Sequence, residues 1–113
     1  MEIKITKRSI ATIVELAGSL DGNTVTTAQD QIMPLLSSNV SLVLDMKSCS
    51  YVSSAGLRLL LMTAKQLSLQ NCVLILSGLS PEIKDVMEMT GFSNFFKAFD
   101  TVEAALDVLA KGV

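Results

Sequence analysis

Short apolar segments of strand character alternate with helix-spaced amphipathic segments along this chain, after an opening pair of strands with no helix between them. That order constrains the fold more than any other feature. Glu2 to Thr6 alternates, with Ile3 and Ile5 on one side, and Ile10 to Ala17 is rich in β-formers. Together they predict a hairpin turning near Lys7-Arg8-Ser9. Gly18 to Asn23 follows as a loop. Thr24 to about Met33 reads as a helix with Val25, Ala28 and Ile32 on one face, capped by Asp21, Asn23 or Thr24 and ended or kinked by Pro34. Ser41 to Met46 is a short strand apolar on both faces, and Lys47 to Ser53 a polar loop.

The strongest helix spans Ala55 to Leu69, with a core stripe of Leu57, Leu60, Leu61, Ala64 and Leu67 and with Ser54 at the expected N-cap. Cys72 to Leu76 is another apolar strand. Ser80-Pro81-Glu82 opens a third helix with a cap, a first-turn proline and an early carboxylate, and Gly91 closes it. Asn94 to Ala98 is a weak strand. Asp100-Thr101-Val102-Glu103 starts a last helix. The predicted fold is therefore α/β: β-β-α-β-α-β-α-β-α, a mainly parallel sheet of four to five strands with about four covering helices, in one domain over residues 1–113. Ligands of such sheets gather at the carboxyl ends of strands. Two loops, Gly18 to Asn23 and Lys47 to Ser54, leave strand ends near one rim.

Composition narrows the chemistry. The chain has no histidine, which removes a histidine-based triad, general base or metal site. A net charge of −2 argues against nucleic acid as the main ligand. Cys49 and Cys72 are too few and too far apart for a zinc site, and read as small buried hydrophobes in a reducing cytosol, with a disulfide as the alternative. Neither a signal peptide nor a membrane span is expected, because uninterrupted apolar runs such as Leu59 to Met62 and Cys72 to Leu76 are far too short. The expectations are a cytoplasmic monomer with no cofactor, no metal, no catalytic residue and no membrane or nucleic-acid partner.

Ser53-Ser54-Ala55-Gly56-Leu57 joins the central strand to the best helix. On a purely structural reading, Ser54 caps the helix and Gly56 lets the backbone pass close to a neighbouring strand. A functional reading adds that a serine at a helix N-terminus faces unpaired N–H groups and the positive end of the helix dipole. Phosphate there is stabilised locally and brings about −1.5 to −2 charges to the rim. As a nucleophile the serine lacks an activating base. Ser54, Arg58, Met62, Lys65 and Leu69 follow at helical steps, so they share one stripe, either a solvated face or an interface. Asp45, at a strand end, is expected to hold a loop by hydrogen bonding. Met33, Met46, Met62, Met87 and Met89 are expected as core filling or interface, mainly core, and the late cluster Phe92, Phe95, Phe96 and Phe99 mainly as packing, with one exposed at a partner site as the alternative.

These residues also carry a resemblance. Leu42-Val43-Leu44-Asp45 followed by Tyr51-Val52-Ser53-Ser54-Ala55-Gly56-Leu57-Arg58 resembles the STAS domains of bacterial anti-sigma factor antagonists. Gly18-Ser19-Leu20-Asp21 matches that family's Gly-x-Leu-Asp loop. Ser80 to Lys84, with Met89-Thr90-Gly91-Phe92, matches its third-helix region. The resemblance implies a STAS-like fold and a partner-switching regulator rather than an enzyme. Such a protein binds, unphosphorylated, an anti-sigma factor with serine kinase activity; phosphorylation weakens the complex and a metal-dependent serine phosphatase restores it. By position the acceptor is Ser54, with Ser53 the second choice, and the partner face comprises Asp21, Ser53, Ser54, Gly56, Arg58, Met62 and Lys65. Ser53 stands where the family has Asp before its acceptor. The alternatives are a non-phosphorylated STAS-like scaffold subunit of a transport assembly and, more remotely, a small enzyme or nucleotide-binding protein.

Overall fold

A computed structural model describes residues 1–112. Strands β1 (Glu2–Lys7) and β2 (Ala11–Leu20) form the expected antiparallel hairpin, turning at Arg8 to Ile10. The chain continues through α1 (Val25–Ile32), β3 (Ser41–Asp45), β4 (Cys49–Val52), α2 (Ser54–Ser68), β5 (Leu74–Ser77), α3 (Pro81–Met89), β6 (Lys97–Phe99) and α4 (Val102–Ala110). The sheet order is β1-β2-β3-β5-β6, and every pairing after the hairpin is parallel. The mainly parallel sheet and its four helices are thus as expected.

The described residues hold one strand more than expected. β4 forms within the segment predicted as a polar loop and pairs with β2 alone. β2 is long enough to carry β3 over Ala11–Glu15 and then β4 over Gly18–Leu20. Gly18 to Leu20 therefore belong to the sheet, and the loop expected over Gly18–Asn23 shrinks to a turn from Asp21. A register shift between Gly18 and Ser19, with Gly18 at φ +109°, lets β2 change partners. Pro34 does end α1, but the chain goes on as a 3₁₀ turn over Met33–Ser38. Phe92–Phe95 is likewise a 3₁₀ turn, which confines the weak strand to its C-terminal part.

Alternation along the central strands divides the core. Leu42, Leu44, Leu74 and Leu76 face the main cluster with Ile32, Leu60, Leu67, Ile83 and Met87 of the first three helices. Val43 and Ile75 point the other way, onto Ala105 of α4 with Ala11 and Ile13. Burial on both faces is why β3 reads as a continuous apolar run. On α2, Leu57, Leu60 and Leu67 are buried as predicted and Leu59 joins them, since α1 covers that flank too. Cys49 is buried, Cys72 is half-buried, and both thiols are free. Phe92 and Phe96 pack on the main cluster and Phe99 on the α4 side, whereas Phe95 is 55% exposed.

Candidate functional site

The sheet delivers two chain segments to the mouth of α2: the end of β2 and the end of β4. Ser53, directly after β4, is extended at φ −85° and ψ 176°, and its hydroxyl oxygen accepts from the Gly56 amide at 3.3 Å. Ser53 is therefore the N-cap, and Ser54, expected in that role, is the first residue of the helix. Both serines are suitable caps by type; the pairing of β4 with β2 decides between them, because the Ser53 amide donates to the Leu20 carbonyl at 2.9 Å. The consequence is chemical. The capping bond occupies Ser53, and the Ser54 side chain is exposed, without a hydrogen-bond partner among the described residues.

Gly56 has the steric role expected of it. A Cβ there would lie 2.7 Å from the Leu20 carbonyl oxygen and 2.9 Å from both Leu20 Cγ and Val52 Cγ1. Only a residue without a side chain lets the first turn of α2 press against β2 and β4.

Asp21 follows β2 directly. Its Oδ1 accepts from the Asn23 amide at 2.9 Å, and its carbonyl accepts from the Thr24 and Val25 amides. Thr24 occupies the N-cap of α1, yet its hydroxyl turns back to donate to the Ser19 carbonyl at 2.7 Å and accept from the Asp21 amide at 3.0 Å. These bonds fix the turn beside Ser53, one residue from Leu20.

Along α2, Ser54, Arg58, Lys65 and Leu69 are exposed and Met62 is half-buried. Arg58 and Met62 line a groove of about 250 Å³ with Val25 and Gln29 of α1. The stripe is therefore an accessible face, with Leu69 at 80% exposure. Asp45 takes no part in it. Its carboxylate accepts from the Lys47 amide at 3.1 Å, and it lines a cleft with Glu15 and Lys4 that Asp21 does not reach. Among the described residues no cluster of three or more His, Cys, Asp or Glu residues is placed to hold a metal ion.

Sequence reasoning passed over two exposed apolar side chains near this mouth, Tyr51 on β4 and Val86 on α3, and read Met89, which is 86% exposed at the end of α3, mainly as packing. The spacing of Val86 and Met89, on the flank of the buried Ile83 and Met87 stripe, was the available signal on α3. Tyr51 was hidden with its strand.

A family model described as the STAS domain matches residues 2–105. The chain belongs to the STAS family. Over 63 residues it is 43% identical to BtrV of Bordetella bronchiseptica, a candidate anti-sigma factor antagonist. That stretch covers 56% of this chain and 54% of BtrV, so the match spans about half the relative's length. Among solved structures, a Thermotoga maritima candidate anti-sigma factor antagonist superposes with a TM-score of 0.89 over 96% of this STAS chain and 94% of its own, at 14% identity. Phosphorylated SpoIIAA, a Bacillus cell-fate determinant, gives 0.74 over 96% and 99%, at 20% identity. At such identities the structural likeness establishes the fold alone. No helix among the described residues is long and apolar enough to cross a membrane.

Proposed function

We propose that this STAS domain is a cytoplasmic anti-sigma factor antagonist, a binding module whose docking to an anti-sigma factor with serine kinase activity is switched by phosphorylation of Ser54. The observation that carries this reading is the division of labour at the mouth of α2. Ser53 caps the helix, so the Ser54 hydroxyl stands free and exposed at its first position. The name borne by BtrV supports the anti-sigma factor antagonist part of this reading.

In the proposed step Ser54 Oγ attacks the γ-phosphorus of ATP. The bond to the bridging oxygen breaks, ADP leaves, and the hydroxyl proton passes to a base. Ser53 stands at the position where the family carries Asp, so that base belongs to the kinase. The new phosphate is stabilised locally by the N-terminal amides of α2 and places about −1.5 to −2 charges on the rim. A partner closing over it must desolvate that charge, and its own anionic groups are repelled. A metal-dependent serine phosphatase resets the switch by hydrolysing the ester. Asp21, Gly56, Arg58, Met62 and Lys65 complete the proposed docking face.

The test is incubation with ATP and a purified anti-sigma factor of the serine-kinase type as the candidate partner. A singly phosphorylated product is expected from the parent and none from Ser54→Ala. Unchanged phosphorylation of Ser54→Ala contradicts the assignment.

A further inference from the structure

Beside the mouth of α2 lies an apolar concavity of about 170 Å³, bounded by Tyr51 and Val52 of β4, Leu57 of α2, and Glu82, Ile83 and Val86 of α3. An enclosed cavity of about 150 Å³ takes up benzene, so this groove has room for one aliphatic or aromatic side chain. Its margin is apolar and open to solvent: Tyr51 is 56% exposed and Val86 41%. Met89, 86% exposed, lies three residues further along the same face of α3, beyond the groove lining. Single exposed apolar residues are ordinary, but two on one groove, with a third next along the same helix face, mark a contact surface.

The unpaired charge on the α3 border is negative. Glu82, Asp85 and Glu88 are all exposed on α3, and none of them forms an ion pair among the described residues. Lys84, the one cation of this helix, is engaged by Asp100 at 3.7 Å. By helical geometry Glu82, Asp85, Val86 and Met89 share an arc of about 100°, so carboxylates border the apolar strip. The basic Arg58 belongs instead to the groove between α1 and α2.

We infer that this groove anchors the protein partner through an amphipathic segment whose apolar side chains are flanked by lysine or arginine. The inference rests on the switch reading for the premise that a protein docks over Ser54. Val52 and Leu57 line the groove and flank Ser53 and Ser54 in the chain, so the two surfaces are continuous. Apolar insertion supplies affinity, and the carboxylates select and orient a basic segment. The anchor is chemically separate from the switch, since a phosphate on Ser54 alters neither the lining of the groove nor the charges of α3.

The experiment is a titration of the isotope-labelled full chain with an amidated amphipathic peptide of Leu, Lys and Ala, followed by backbone amide shifts. The expected shifts concentrate at Tyr51, Val52, Leu57 and Val86. A Glu-for-Lys peptide and a scrambled, non-amphipathic peptide should each bind at least about tenfold more weakly. Val86→Ser and Met89→Ser, each at an exposed position, should each weaken binding at least about fivefold while circular dichroism stays unchanged. Equal affinity for the Lys and Glu peptides, shifts centred elsewhere, unaltered binding by both serine variants, or no binding up to the solubility of the peptide overturns the inference. No kinase is used, so failure here is distinct from failure of phosphorylation at Ser54.

Discussion

The Ser53 amide donates to the Leu20 carbonyl oxygen at 2.9 Å, which pins the start of α2 to the last residue of β2. That one bond sets which serine caps the helix and which is left to solvent. It also brings α2 so close to β2 that the first turn tolerates only glycine at position 56.

Gly56→Ala is expected to destabilise the fold despite alanine's better helix propensity, which favours the substitution by about 1 kcal/mol. The added Cβ meets the Leu20 backbone oxygen at 2.7 Å, and no rotamer change can move a backbone atom. Overpacking of this kind costs about 1–3 kcal/mol, and here α2 must also shift off β2. Urea denaturation should show a lower midpoint with an unchanged slope.

Ser53→Ala should cost about 1 kcal/mol through loss of the cap to the Gly56 amide. Ser53→Asp restores a capping oxygen and should recover most of that stability. Denaturation of the three proteins in parallel checks both.

Ser54→Asp should act on stability and on docking with opposite signs. A carboxylate in the first turn of α2 interacts favourably with the helix dipole, by about 0.3–1 kcal/mol at low salt. The same charge on the partner-facing rim should weaken kinase binding by about 1–3 kcal/mol. Denaturation and calorimetric titration together separate the effects; a variant that is destabilised and still binds normally contradicts the placement.

Cys49 gives a pH prediction. Burial pushes its thiol above the ordinary value of 9.0, against a smaller opposing effect of hydrogen bonding with the backbone of Tyr51 and Leu20. Above pH 9.0 the unfolded chain releases this proton while the folded chain keeps it, so the unfolded state binds fewer protons and stability falls as pH rises. The stabilising contribution is complete below that pH and is lost progressively towards the raised folded value. Cys49→Ala should flatten this part of the stability profile. In the native protein Cys72, being half-buried, should be alkylated faster than Cys49.

The sequence made the parts of this molecule that rest on local chemistry readable. Ser80, Pro81 and Glu82 announce α3, and the Ser80 hydroxyl does accept from the Ile83 amide at 3.2 Å. The double-sided apolar run of β3 and the leucine spacing of α2 place the sheet and its main helix. What stayed hidden depends on pairing between distant segments. β4 has only four residues, two of them exposed, and exists because the end of β2 offers it an edge. The shift of the cap from Ser54 to Ser53 follows from that pairing and has no local signal, since two adjacent serines are equivalent caps by type. The close backbone approach at Gly56 was legible, whereas the groove under Tyr51 and Val86 arises only when β4 and α3 are folded side by side.

The most direct test of the central claim is site-resolved mass spectrometry after incubation with the kinase-like anti-sigma factor and ATP, on the parent, Ser53→Ala and Ser54→Ala. The account predicts one phosphate on Ser54 in the parent and in Ser53→Ala, and none in Ser54→Ala. Phosphate on Ser53, or on Ser54→Ala at the parent's rate, would contradict it.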